Sequence, residues 1–270
     1  MFDALFTTTT EYKKLSHALS GKGACALFGL PASGRAQVYA ALCRQLDKPL
    51  CIVTPGEAEA TRFAADLNTL GIPTAVFPAR DYVLRPIEGT AREYEYRRLA
   101  VLGELVGGRL RAVAVPAEAL TQFTTPKEDF CANTRTLHAG DTLLRDDLLA
   151  ALFGAGYTRR AQVDGPGQFS VRGDIVDIFA PDQKMPVRME FWGDEIDTLH
   201  TFDLTTQRRE DAIDKFYLSP AREVLFGKPA DAAEQLRAFL AKQRGKKKTA
   251  MADCMAADLD LLDGGAVPVN

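Results

Sequence analysis

Eight residues, Gly29-Leu-Pro-Ala-Ser-Gly34-Arg35-Ala36, come close to a device for holding phosphate. A working phosphate loop reads G-x-x-x-x-G-K-[ST]. Its glycines let backbone N–H groups wrap the phosphates, its lysine reaches the β- and γ-phosphates, and its hydroxyl holds Mg²⁺. Here Gly29 and Gly34 keep the spacing and Ser33 precedes the second glycine, but Arg35 replaces the lysine and Ala36 the hydroxyl residue. A planar guanidinium does not substitute for a compact ammonium, and alanine has no oxygen for a metal. Nucleotide hydrolysis depends on that bridging metal. The segment is therefore expected to be a tight strand-to-helix turn without ATP or Mg²⁺, accepting at most a phosphate or sulfate at the helix start. No acidic motif downstream is placed to orient a metal, and no catalysis is expected.

Other candidates for chemistry are weaker. Five cysteines, Cys25, Cys43, Cys51, Cys131 and Cys254, are scattered without a C-x-x-C pair, which supports neither a zinc site nor a disulfide framework. Cys25 and Cys51 lie in apolar runs and are expected to be buried thiols in a reducing cytosol. Asp194, Glu195 and Asp197 form a solvated acidic turn rather than a metal cluster. Arg244-Gly-Lys-Lys-Lys248 is the dense basic run and reads as an exposed loop. Tyr94 and Tyr96, with Arg92, Arg97 and Arg98, read as one mixed helix surface.

The elements that must position these residues alternate at first. Ala24–Phe28 is expected to be a buried strand, followed by the Gly/Pro/Ser loop and a helix over 36–46. A strand over 50–54, a helix over 57–70 closed by Gly71, and a strand over 74–77 come next. A helix over 91–106, a strand over 111–115, and Pro116 opening a helix complete the series. Strict alternation implies a parallel sheet with helices on its faces. Near residue 125 the pattern changes. After a short helix over 145–153, strands follow one another over 157–163, 169–172, 174–179, 187–192 and 195–202. Their turns are Asp164-Gly-Pro-Gly167 and Gly193-Asp194. Ile196 and Leu199 do not alternate cleanly, so the face they occupy stays open. A helix over 231–242 resumes after Ser219-Pro220. The division is thus 1–125 for the first part of an α/β domain, 126–219 for an inserted antiparallel α+β domain, and 220–270 for a truncated return segment.

With 270 residues, 46% hydrophobic and 26% charged, the composition is that of a globular protein with material for two cores. A net charge of −3 argues against a chain-wide hold on nucleic acid and favours a protein partner. No apolar run approaches membrane-spanning length, and the first residues do not read as a signal peptide. A cytoplasmic location is expected, with no membrane partner.

A long ordered run carries a family resemblance. Gln168-Phe-Ser-Val-Arg-Gly-Asp-Ile-Val-Asp-Ile-Phe179, Pro186-Val-Arg-Met-Glu-Phe-Trp-Gly-Asp-Glu-Ile-Asp197 and Phe202-Asp203…Gln207-Arg208 resemble the insertion domain shared by the excinuclease component UvrB and the bacterial transcription-repair coupling factor. Phe77-Pro-Ala-Arg-Asp-Tyr82, Arg97-Arg98-Leu99 and Val113-Ala-Val-Pro116 through Leu120 are similar to that family's first domain, and the likeness runs over about residues 20–226. The loop with Arg35 and Ala36 resembles the coupling factor's degenerate loop. The stretch 81–90 is also too short for the aromatic DNA-clamping hairpin of UvrB.

The resemblance implies a degenerate RecA-like P-loop domain with an inserted domain that binds the excinuclease component UvrA through Arg172, Arg188 and Trp192. It implies a non-catalytic adaptor in nucleotide excision repair. In a longer parent, other domains would bind RNA polymerase and drive ATP-dependent translocation on double-stranded DNA. The rival reading is an ATP- and DNA-binding fragment of the UvrB kind. Read from spacing alone, Arg188 and Trp192 share one strand face. The arginines either meet a partner or pair with Asp174, Asp177 or Glu190, and Trp192 either stands outward or fills a core.

Overall fold

The computed structural model describes residues 7–21, 24–46, 49–80, 92–225 and 229–242, and scattered positions between 252 and 263. Its described residues divide into two compact units, one from 1–80 and 100–123, the other from 81–99 and 124–270.

The first unit holds α1 (Thr10–Ser20), α2 (Ala32–Gln45), β1 (Leu50–Thr54), α3 (Glu57–Thr69), β2 (Thr74–Val76), β3 (Ala112–Pro116) and the short α5 (Ala117–Leu120). The helix α4 (Glu93–Val106) contributes its residues from Ala100 onward. The strands form a parallel sheet in the order β1-β3-β2, as the alternation predicts. β3 is central and buried along its whole length, because a parallel strand is covered on both faces. Ala112 packs with Ala40, Cys43, Ile52, Phe63 and Leu67. Val113 and Val115 point the other way, to Phe77, Val101 and Leu110.

Two expectations fail in this unit. Ala24–Phe28 is not a strand: it joins no ladder, and Leu27 and Phe28 stand exposed. An apolar run becomes a strand only where a neighbour accepts its hydrogen bonds, and the described sheet ends at β1 and β2. Cys25 and Cys51 are accordingly exposed rather than buried. Cys51 alternates with buried Ile52 onto the open face of β1. Among the described cysteines the buried thiol is Cys43, whose Sγ donates to the Arg111 carbonyl at 3.6 Å.

The second unit holds α6 (Lys127–Ala132), β4 (Arg135–His138), α7 (Arg145–Gly154), β5 (Thr158–Arg159), β6 (Gln168–Arg172) and β7 (Ile175–Phe179). β8 (Val187–Trp192), β9 (Glu195–Phe202), β10 (Arg209–Ala212), β11 (Lys215–Leu218) and α8 (Pro229–Lys242) follow. A six-stranded sheet runs β10-β9-β8-β7-β6-β5, antiparallel except between β5 and β6. β11 and β4 pair separately. Leu148 and Leu152 of α7 pack with Phe169, Ile178, Met189 and Leu199 on one face of the large sheet. The expected strand over 157–163 shortens to two residues.

The irregular spacing of Ile196 and Leu199 has a cause. The register passes from Glu190↔Thr198 to Phe191↔Ile196, so Asp197 is an extra residue. The bulge turns both apolar side chains to the core.

Two segments of the second unit are pinned together. Arg98 on α4 and Glu223 are both fully buried, with Arg98 Nε at 2.8 and 3.0 Å from the two carboxylate oxygens and Nη2 at 2.6 Å. The Glu223 N–H donates to Glu95 Oε1 at 2.9 Å, and its carbonyl accepts from Thr125 Oγ1. Gly167, at φ 72°, packs against the Tyr96 ring, where an added Cβ would lie 2.7 Å from the hydroxyl. No described helix is long and apolar enough to cross a membrane.

Candidate partner-binding surface

The loop with phosphate-binding spacing is occupied by its own helix. Pro31 caps α2, and the Arg35 N–H already donates to the Pro31 carbonyl at 3.0 Å, so Ala32, Ser33 and Gly34 lie within the first turn. Gly29 sits ahead of it at φ 80°. A Cβ on Gly34 would come 3.3 Å from the Pro31 ring, so close packing explains this glycine. Arg35 turns toward α3, where Nη1 lies 3.5 Å from Glu59 and the guanidinium stacks on Phe63 at 5.4 Å. Ala36 is buried in the core beside Ala40. The two substituted positions serve packing between α2 and α3.

The six-stranded sheet presents its other face differently. Strand parity sends Val187, Met189 and Phe191 to the core and Arg188, Glu190 and Trp192 outward. The register sets these in rows across the sheet. Ser170, Asp177, Arg188 and His200 are opposite one another, as are Arg172, Ile175, Glu190 and Thr198, with Trp192 opposite Glu195 in the next row. All three residues assigned by resemblance thus share one face.

They differ in depth. Trp192, the chain's single tryptophan, is 82% exposed. Arg172 is exposed, its side chain at 46%, and Nη2 reaches Asp177 Oδ2 at 2.6 Å. Arg188 is only 9% exposed. Its Nε and Nη2 grip Asp177 Oδ1 and Oδ2 at 2.7 and 3.0 Å, its guanidinium lies 4.7 Å from the Phe202 ring centre, and Nη1 donates to the Gln207 carbonyl at 3.3 Å. The hydrogen bonds to Asp177 raise the Arg188 pKa above its ordinary value against an opposing burial effect.

Of the three acids considered as arginine partners, Asp177 takes both. Asp174 lies 3.4 Å from Arg145, and Glu190 pairs with Arg209. Asp177 had a legible signal, an acid flanked by apolar residues at the centre of a strand. Gln207 had none beyond its place in the resemblance. It stands at φ 58°, in a loop closed by Asp203, whose carboxylate accepts from the N–H groups of Thr205 and Thr206 at 3.1 and 2.7 Å.

Asp194, Glu195 and Asp197 are exposed, and among the described residues no group of His, Cys, Asp and Glu could hold a metal ion. Tyr94, Tyr96 and Arg98 do not act as one patch, since Arg98 is the buried partner of Glu223. The stretch 81–90 and the run 244–248 lie outside the described residues. What the outer face offers is an exposed indole and a half-exposed guanidinium on a rigid sheet, the types enriched where proteins bind proteins.

Residues 136–224, which hold β11, the whole six-stranded sheet and β4 from its second residue, match the family model of the UvrB interaction domain. Over a longer span, the chain is 28% identical over 226 residues to a transcription-repair-coupling factor of Bacillus subtilis, covering 82% of this chain and 19% of the relative. To that of Myxococcus xanthus it is 35% identical over 207 residues, covering 73% and 17%. To the UvrABC system protein B of Chlorobium limicola it is 28% identical over 226 residues, covering 78% and 32%. The chain therefore spans less than a fifth of the two coupling factors and about a third of the Chlorobium protein.

Proposed function

We propose that the outer face of the UvrB interaction domain is an adaptor surface that binds the excinuclease component UvrA in nucleotide excision repair. The observation that carries this reading is the pairing of Trp192 and Arg172 on one exposed sheet face inside the matched domain. Trp192 brings apolar area, Arg172 a fork suited to a partner carboxylate, and Arg188 a fixed charge beneath. Each exposed anchor is worth ~2 kcal/mol when a partner covers it, or about thirtyfold in affinity.

The first unit acts as a degenerate RecA-like scaffold. This module turns over no ATP and binds no Mg²⁺. Arg35 stacked on Phe63 and Ala36 in the core support that part. Within a longer coupling factor in the cytoplasm, the module would recruit UvrA where RNA polymerase has stalled, while further domains bind polymerase and translocate on duplex DNA. The test is calorimetric titration with purified UvrA. Wild type binds, and Arg172→Ala and Trp192→Ala each weaken binding by about tenfold or more. Unaltered binding after Arg172→Ala, Arg188→Ala and Trp192→Ala together refutes the assignment.

A further inference from the structure

Of the two arginines bonded to Asp177, only Arg172 turns much of its guanidinium to water. Arg188 commits Nε and Nη2 to Asp177, Nη1 to Gln207 and its flat side to Phe202. Arg172 commits Nη2 to Asp177, and nearly half of its side chain faces water. Between them lies a carboxylate whose side chain is 1% exposed and whose two oxygens take three charge-assisted hydrogen bonds.

We infer that Asp177 is the positioning residue of the partner-binding surface, aiming the Arg172 guanidinium at an acidic side chain of the partner. The inference rests on the proposed function, because it assigns a role within that site. A long arginine on an exposed strand otherwise samples many rotamers and loses that entropy on binding. Here the carboxylate holds one end of the fork before the partner arrives.

Asp177 is itself held. It stands at the middle of β7, with Arg188 clamped to it from β8. Arg188 is fixed in turn by Phe202 and by the 203–208 loop. Gln207 is set there by its N–H on the Asp203 carbonyl at 2.8 Å and its Nε2 on the Leu204 carbonyl at 2.8 Å. Alignment thus passes from the loop through Arg188 and Asp177 to Arg172. The triad carries two positive charges and one negative, so a single positive charge is left to present. The complementary partner surface is a carboxylate beside an apolar side chain that can lie against Trp192.

A different role for Asp177 makes the opposite prediction. Were it only a screen over two cations, Asp177→Asn would unmask charge and tighten binding. The experiment is a double-mutant cycle read by calorimetry with purified UvrA. Asp177→Asn is expected to weaken binding about tenfold in the native background and by less than about twofold in an Arg172→Ala background. Equal losses in both backgrounds, no loss, or tighter binding overturn the inference. Failure of the underlying reading looks different, because Arg172→Ala and Trp192→Ala would then bind like wild type.

An independent readout needs neither partner nor variant. The guanidinium nitrogens of Arg172 should give resolved, slowly exchanging NMR signals in the native chain. Averaged signals from a freely turning guanidinium would overturn the proposal even if Asp177→Asn failed to fold.

Discussion

Glu223→Gln tests the ion pair that joins Arg98 to the segment after β11. Neither side chain touches water, and three contacts of 2.6 to 3.0 Å join them. Glutamine keeps one oxygen but turns an amide N–H₂ toward a guanidinium that cannot lose its proton. Breaking a buried pair from one side costs ~3–5 kcal/mol, chiefly because the remaining charge is left uncompensated. One retained oxygen places the expected cost near the lower end, ~3 kcal/mol, or about 10 °C in melting temperature.

The bonds from Thr125 and to Glu95 involve the main chain of residue 223 and survive the substitution. The loss is therefore assignable to the side chain. Urea unfolding followed by far-ultraviolet circular dichroism measures it, with Arg98→Met/Glu223→Leu alongside. That apolar pair should recover most of the loss, since no charge is left stranded. A Glu223→Gln midpoint within ~1 kcal/mol of wild type, or an apolar pair no better than the single variant, refutes the reasoning.

Further outcomes follow from particular residues. Gly167→Ala combines φ 72° with a Cβ 2.7 Å from the Tyr96 hydroxyl and should destabilise by ~2–3 kcal/mol. Gly193→Ala, at φ 63° in open space, should cost only ~1 kcal/mol in the same assay. The Tyr157 hydroxyl donates to the Ser219 carbonyl at 2.7 Å, and burial pushes its pKa well up. A folded pKa above the unfolded one means that stability is full below about pH 10 and falls as pH rises past it. Urea midpoints at about pH 8 and about pH 11 should show that loss, and Tyr157→Phe should reduce it. Arg35→Lys with Ala36→Ser restores the letters of a phosphate loop, yet no phosphate release from Mg-ATP is expected, because α2 begins at Ala32. Turnover by that variant would contradict the helix-start account.

Much of the fold was legible because the period of apolar residues records which face is dry. β8 is the clearest case: alternation alone put Arg188 and Trp192 together, and the register agrees. Ala24–Phe28 shows the limit. Composition reports that a segment can be a strand, while ladder partners decide whether it is one, and those come from elsewhere in the chain. β4 and β11 were missed for a related reason. Their pairing joins residues 135–138 to 215–218 across much of the second unit, and several of their side chains face water, which blurs the pattern.

At the candidate site, parity gave direction but not depth. The burial of Arg188 comes from Phe202 and from a loop closed by Asp203 and Gln207. No period in the strand itself carries that. The acid shared by both arginines stood in plain view among three candidates. Choosing Asp177 required the register, which sets it opposite Arg188.

The chain has a single indole, and it stands in water at the end of β8. Ultraviolet excitation at the red edge therefore addresses one position, with no contribution from a second tryptophan. Emission should be long-wave in the free protein and move to shorter wavelength when anything dry settles over that spot. Iodide should quench it freely before such an event and poorly after. The surface thus comes with its own optical label, and any candidate occupant lacking tryptophan can be screened without modifying either molecule.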